Sequence, residues 1–199
     1  MIGFFGGSFD PVHRGHLENA QAVKEELSLA QLFLMPCANP VHKDGLLFSN
    51  AQRLEMLDLV ADDYGLEIDS REIQRNDASY TISSLKEIQN EYPDQTIVLV
   101  IGADSFAQFS TWRDYQEFHH YCHLVVIGRP QSSIDKTQLF NFQAADDKDL
   151  LARTRQGCIY FTQGRMLDIS SSAIRGKIAR AEDLSSLLPN KIITYLEAQ

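Results

Sequence analysis

Two histidines three residues apart, His13 and His16, follow a Gly6-Gly7-Ser8-Phe9 turn, and that turn follows the apolar segment Ile2-Gly3-Phe4-Phe5. Residues of these types in this order suit a polyphosphate. Gly6 and Gly7 let backbone N–H groups approach phosphate oxygens with no Cβ in the way. A helix opening near Gly15 brings its positive dipole end to the same anion. His13 and His16 can then donate hydrogen bonds to a phosphoryl group as its charge rearranges. Two other readings stand beside this one. The histidines can cap backbone groups of a structural turn, or they can bind a metal, although their i, i+3 spacing lacks a partnering Cys or carboxylate set.

A second group lies near the other end of the chain, Ile169-Ser170-Ser171-Ser172-Ala173-Ile174-Arg175. Hydroxyls and N–H groups at a helix start form a cradle for phosphates, and Arg175 on the first turns offers a planar fork. In isolation the same residues read as an ordinary capped helix. A third group, Gly102-Ala103-Asp104-Ser105, closes the most apolar strand pattern, where ligands bind in doubly wound sheets. Asp104 there can accept from ribose hydroxyls or cap a helix. In the loop Asn39-Pro40-Val41-His42-Lys43, Lys43 is a point cation suited to a phosphate and His42 a second donor. Trp112 is the sole tryptophan. It can stack on a planar heterocycle or simply pack in the interior.

The elements that must hold these groups alternate short apolar runs with helical periodicity, the pattern of a parallel α/β sheet. Strands are expected over residues 2–6, 31–35, 97–101, 123–127 and 158–161, with a weak one at 66–68. Between them, Leu17, Ala20, Val23 and Leu27 mark one helix face, and Ile82, Leu85, Ile88 and Tyr92 another. Asn50 is placed to cap a helix with Leu54, Leu57, Val60 and Ala61 inside. Residues 131–157 are the least legible, with a short helix expected around Leu150. Helices are expected over 171–179 and 190–196. The fold class is therefore α/β, a Rossmann-like doubly wound parallel sheet, in one domain spanning 1–199 whose helical C-terminal portion covers about 165–199.

Composition narrows the function classes. The 199 residues are 44% hydrophobic, enough for a substantial core, and no apolar run is long enough to cross a bilayer. The apolar start reads into a strand rather than a signal peptide, and the three cysteines are scattered, so a cytoplasmic location is expected. A net charge of −9 disfavours nucleic acid. An acidic protein that binds anionic small molecules must gather its few cations, and Mg²⁺, at one site. Lys43, Arg113, Arg129 and Arg175 are the cations to follow. The dense stretch from Phe118 to His123 runs into a strand, whose alternation splits its side chains between two faces, so no protein metal site is assigned.

The run Gly6-Gly7-Ser8-Phe9-Asp10-Pro11-Val12-His13-Arg14-Gly15-His16 resembles the signature of the nucleotidyltransferases that share an HxGH element with class I aminoacyl-tRNA synthetases. The 169–175 segment is similar to the ISSTxxR element of the same superfamily. Together with Pro40-Val41-His42-Lys43, Ser79-Tyr80-Thr81 and the stretch from Gly102 to Trp112, these resemble the bacterial nicotinate-nucleotide adenylyltransferase family over most of the chain. The resemblance implies AMP transfer from ATP to nicotinate mononucleotide, giving deamido-NAD and pyrophosphate, with Mg²⁺ and no covalent intermediate. His13, His16 and Arg175 would be catalytic. Gly6, Gly7, Ser8, Phe9, Gly102, Asp104, Ile169, Ser170, Ser171 and Arg175 would hold ATP. Trp112 would stack on the pyridine, Thr81 and Arg113 would hold its carboxylate, and His42, Lys43 and Arg129 would face the mononucleotide phosphate.

Two departures from the family pattern stand out. The 40–43 loop has one proline fewer, and Ser84 replaces a threonine at a position expected to cap the helix. Rival readings keep the chemistry on nicotinamide mononucleotide, phosphopantetheine or a flavin, or make the chain a non-catalytic nucleotide sensor. An oxidoreductase is disfavoured because no GxGxxG fingerprint follows a strand. The expected partners are small molecules, with neither nucleic acid nor membrane, and a homo-oligomer is left open.

Overall fold

The computed structural model describes residues 1–38, 45–75, 79–128, 135, 137–163 and 167–198. Its strands are β1 (Ile2–Gly7), β2 (Gln31–Pro36), β3 (Glu67–Ile68), β4 (Ile97–Gly102), β5 (His123–Ile127), β6 (Gln143–Ala144) and β7 (Cys158–Phe161). All pair in parallel, in the order β3-β2-β1-β4-β5-β7-β6. The helices are α1 (Arg14–Glu26), α2 (Asn50–Asp58), α3 (Arg71–Arg75), α4 (Thr81–Glu91), α5 (Ala103–Ala107), α6 (Asp149–Arg153), α7 (Ser171–Ala179) and α8 (Asn190–Glu197).

The inner strands are apolar on both faces because both faces are covered. Strand alternation sorts their side chains into two cores. Phe5, Leu34, Val98, Val100 and Val125 pack with Leu17, Ala20 and Val23 of α1 and with Ile174 of α7. Phe4, Phe33, Leu99, Ile101 and Leu124 pack on the other side with Ile82, Leu85 and Ile88 of α4. β1 has β2 on one side and β4 on the other, so the chain direction across the sheet reverses there. The carboxyl ends of β1 and β4 consequently border a crevice, the place where such sheets bind ligands.

Several local expectations change. Ser49, not Asn50, caps α2: its hydroxyl accepts from Gln52 N–H and the Gln52 side chain returns a bond to the Ser49 N–H, a full capping box. Leu54 is only half-buried, and Arg53, Met56 and Leu57 face inward instead. The five-residue α3 and the two-residue β6 escaped the sequence reading, since neither is long enough to display a period.

Candidate active site

The turn after β1 is the floor of the crevice. His13 caps α1 in extended conformation (φ −147°, ψ 167°), and its Nδ1 accepts from His16 N–H at 3.2 Å. An acceptor at Nδ1 assigns the proton of the neutral ring to Nε2, leaving a donor there. The two imidazoles stack with centroids 3.6 Å apart at 17°. Capping and cavity lining are thus combined in one residue rather than being alternatives. Behind them Phe9, at φ 48° and fully buried, sets its ring edge-on to His16 at 4.9 Å. Its side chain is not among those lining either cavity described below; the ring supports His16 from the core side.

The C-terminal element docks directly on this turn. Ser170 caps α7 by accepting from Ala173 N–H at 3.2 Å, and Ser171 Oγ donates to Pro11 O at 3.4 Å. Arg175 donates through Nη1 to Asp10 O at 2.8 Å and through Nη2 to Ser172 Oγ at 3.0 Å. Gly15 is what permits the approach: a Cβ there would lie 2.9 Å from Ile169 Cβ and 3.1 Å from His13 Nδ1. Gly6 and Gly102 differ, because a Cβ on either would meet nothing within 4 Å and would project into open space.

Two adjoining cavities result. One, of about 370 Å³, is lined by His13, His16, Ile169, Ser170, Ser171 and Arg175, with Asp10 and Gly102. The other, of about 360 Å³, is lined by Met35, Cys37, Glu72, Ser79, Tyr80 and Thr81, with Gln108, Trp112 and Arg113. They meet at shared walls: Gly6, Gly7, Ser8, Asp104, Ser105 and Ser172 line both. Each is of a size to take a nucleotide-sized ligand. The two groups of phosphate-binding residue types, from opposite ends of the chain, therefore converge on the first cavity.

The chain matches the family model described as cytidylyltransferase-like over residues 4–177. A protein of Vesicomyosocius okutanii named probable nicotinate-nucleotide adenylyltransferase is 48% identical over 199 residues, covering 100% of this chain and 94% of its own. A protein of the same name from Psychromonas ingrahamii is 39% identical, covering 100% of this chain and 95% of its own. The chain belongs to the nicotinate-nucleotide adenylyltransferase family. In fold it is also similar to the Plasmodium falciparum nicotinic acid mononucleotide adenylyltransferase complexed with NaAD, with a TM-score of 0.73 at 17% identity, over 98% of this chain and 95% of that one.

The residues that the adenylyltransferase pattern singles out fall as follows. Trp112 is half-buried and both packs and lines: its ring lies 5.4 Å from Phe109 and 6.1 Å from Phe118 while bordering the second cavity. Arg113 is exposed, with its guanidinium 4.6 Å from the Tyr80 ring centroid at the rim. Thr81 opens α4, whose N-cap Tyr80 supplies no side-chain bond to the helix. The Tyr80 main-chain oxygen instead accepts from Ser83 N–H at 2.9 Å. His42, Lys43 and Arg129 lie outside the described residues.

Three residues of this adenylyltransferase site were not singled out in the sequence. Asp10, 1% exposed, accepts from Leu47 N–H and Phe48 N–H at 3.0 and 2.9 Å and faces Arg175. Arg53, fully buried, donates to Ser8 O at 2.6 Å, Cys37 O at 2.7 Å and Asn50 Oδ1 at 2.7 Å, tying the loops after β1 and β2 together. Burial pulls its guanidinium below the usual arginine range, against the pull of Cys37 and Asp10. Glu72, 3% exposed, is pushed upward by burial while Ser84, Arg75 and Ser79 oppose the shift. Ser84 does not cap α4 as expected: it is buried and donates to Glu72 Oε1 at 2.7 Å. A polar residue at a core-facing helical position was the available signal for Arg53 and Ser84.

Proposed function

We infer that the protein transfers AMP from ATP to nicotinate mononucleotide, releasing pyrophosphate and forming deamido-NAD. The observation that carries this reading is the pair of nucleotide-sized cavities sharing Gly6, Gly7 and Ser8, with a phosphate-type lining in one and an aromatic, donor-rich lining in the other. ATP lies in the first, its triphosphate between His13, His16 and the Ser170–Arg175 segment, with Gly6, Gly7, Ser8, Gly102, Asp104, Ile169 and Ser171 completing the site and Phe9 backing His16 from the core. The acceptor lies in the second, its ring on Trp112 and its carboxylate at Thr81 and Arg113. His42, Lys43 and Arg129 serve its phosphate.

An oxygen of the acceptor's 5′-phosphate attacks the α-phosphorus in line, and the bond to the β-phosphate breaks. A phosphate nucleophile needs no general base, so positioning and charge stabilisation supply the rate. The Nε2–H of His13, His16 and the Arg175 fork meet the charge that develops on the phosphoryl oxygens. Among the described residues no group of three His, Cys, Asp or Glu is placed to hold a metal, and both Asp10 oxygens already accept backbone N–H groups. That donor set fits Mg²⁺ carried chiefly by the phosphates, where it would neutralise their charge.

The acid acceptor is favoured over its amide because a carboxylate answers the α4 N-terminus, which has no side-chain cap. The same reading takes residues 1–199 as one domain with a helical portion from about 165. It carries a cytoplasmic location, consistent with Cys37, Cys122 and Cys158 forming no disulfide. Among the described residues no helix is long and apolar enough to cross a membrane. The test is pyrophosphate release with ATP, Mg²⁺ and a panel of nicotinate mononucleotide, nicotinamide mononucleotide and phosphopantetheine. Nicotinate mononucleotide should give the highest kcat/KM. A higher value for either rival moves the acceptor, and ATP binding without pyrophosphate release makes the chain a sensor.

A further inference from the structure

The segment that returns to the ATP cavity near the end of the chain follows one face of α1. Leu167 meets Asn19, Ile169 lies against Gly15 and Ser171 reaches Pro11, so the segment runs towards the start of α1 as the chain advances. Gly15 and Asn19 are four apart and share a helix face. Four helical residues rise about 6 Å and two extended residues reach about 6.6 Å, so Leu167 and Ile169 are in register with them. The contact farthest from the start of α1 is a paired hydrogen bond. Asn19 Oδ1 accepts from Leu167 N–H at 2.8 Å, and Asn19 Nδ2 donates to Leu167 O at 3.1 Å. One side-chain amide thus answers both main-chain groups of a single residue, as a neighbouring strand would. Asparagine is a weak helix former because its amide competes for main-chain groups, and here the groups it takes belong to another segment. Leu167 is 40% exposed, so burial does little to fix it. Asn19 and Leu167 both line the ATP cavity, and neither lines the acceptor cavity.

We propose that Asn19 is a positioning residue for ATP: its amide clamps the main chain at Leu167 onto α1 and so sets the wall that Leu167 forms in the cavity of His13 and His16. This rests on the adenylyltransferase reading. Asn19 touches no reacting atom in this role and acts through Leu167. The far end of the same segment has its own anchors, Ser171 on Pro11 and Arg175 on Asp10. Loss of the clamp therefore loosens the wall without moving Arg175. ATP then has to order the segment itself, a cost that falls on its affinity and spares kcat and the acceptor.

Asn19→Ala removes both bonds while putting a stronger helix former in α1, and Asn19→Leu removes them while keeping the side-chain volume. In each variant the Kd of ATP with Mg²⁺, by titration calorimetry, and the KM of ATP should rise about three- to tenfold, the size of one net hydrogen bond. The kcat and the acceptor KM should stay within about twofold. Unchanged ATP affinity in both variants, or an equal rise in the acceptor KM, would overturn the role. Amide hydrogen exchange followed by NMR without substrate separates clamping from direct contact. Leu167 N–H should exchange about three- to tenfold faster in both variants, while Ala173 N–H, held by Ser170, keeps its rate. Weaker ATP binding with unchanged exchange at Leu167 would mean that Asn19 touches ATP itself, and the proposal would fall. Absence of turnover in the wild-type protein instead removes the functional reading, and calorimetry and exchange still decide Asn19.

Discussion

Arg175 donates to the main-chain oxygen of Asp10 at 2.8 Å and lies 3.4 Å from the carboxylate of the same residue. The cation from the C-terminal helix is thus aimed by the loop that carries the histidines. Asp10→Asn keeps an accepting oxygen for the loop at 47–48 but removes the charge facing Arg175. The kcat/KM for ATP should fall on the order of ten- to a hundredfold, the range for a charge-assisted bond, with a lowered midpoint in urea. Wild-type kcat/KM for ATP in D10N would show that Arg175 does not depend on Asp10.

His16→Ala removes one imidazole of the stacked pair and the ring against Phe9. As a lost transition-state donor it should lower kcat on the order of 10²–10³ with a smaller change in the KM of ATP. Near-normal kcat in a variant with intact circular dichroism would remove His16 from the catalytic group.

The glycines separate packing from binding. Gly15→Ala forces a Cβ to 2.9 Å from Ile169 Cβ, a branch point that cannot swing aside. Stability should drop by about 1–3 kcal/mol, with activity falling as the 169–175 segment is displaced. Gly6→Ala meets nothing within 4 Å and should leave stability unchanged while raising the KM of ATP and of the acceptor, since its new methyl enters both cavities. Denaturation should separate the two variants, with stability lost only in Gly15→Ala, while steady-state kinetics should be impaired in both.

His123 predicts the acid limb of stability. Its Nδ1 accepts from Cys158 N–H at 3.1 Å and its Nε2 faces Thr154 O at 3.2 Å, so the neutral ring is satisfied and a proton on Nδ1 would face a donor. Burial lowers its pKa, against smaller opposing pulls from Thr154 and Leu151. The unfolded chain therefore binds this proton first. The stabilisation is complete above about pH 6.5 and is lost as pH falls from there towards the lower folded value, with a slope of at most about 1.4 kcal/mol per pH unit. Urea unfolding at stepped pH should show that slope shrink in His123→Phe.

The sheet was readable because long apolar runs and a 3.6-residue period admit few folds, and strands at 123–127 and 158–161 fall where the pattern puts them. The histidine turn and the serine-arginine helix were readable because their residue types are chemically unusual together. Asp10, Arg53 and Glu72 were not singled out, since each works through a partner distant in sequence: Leu47, Ser8 and Ser84. A hydrogen bond across such separations leaves no periodicity, and α3, at five residues, is too short to show one.

Ser171 on Pro11, Arg175 on Asp10, Ile169 against Gly15 and Leu187 O accepting from Arg14 N–H all fasten residues from the last fifth of the chain to its first sixteen. During synthesis, then, the cavity beside the histidines lacks its wall from Leu167 to Arg175 until those late residues leave the ribosome. A nascent chain stalled before Ile169 would carry both imidazoles and yet no working centre, and supplying the missing segment as a separate peptide would be a complementation experiment in miniature.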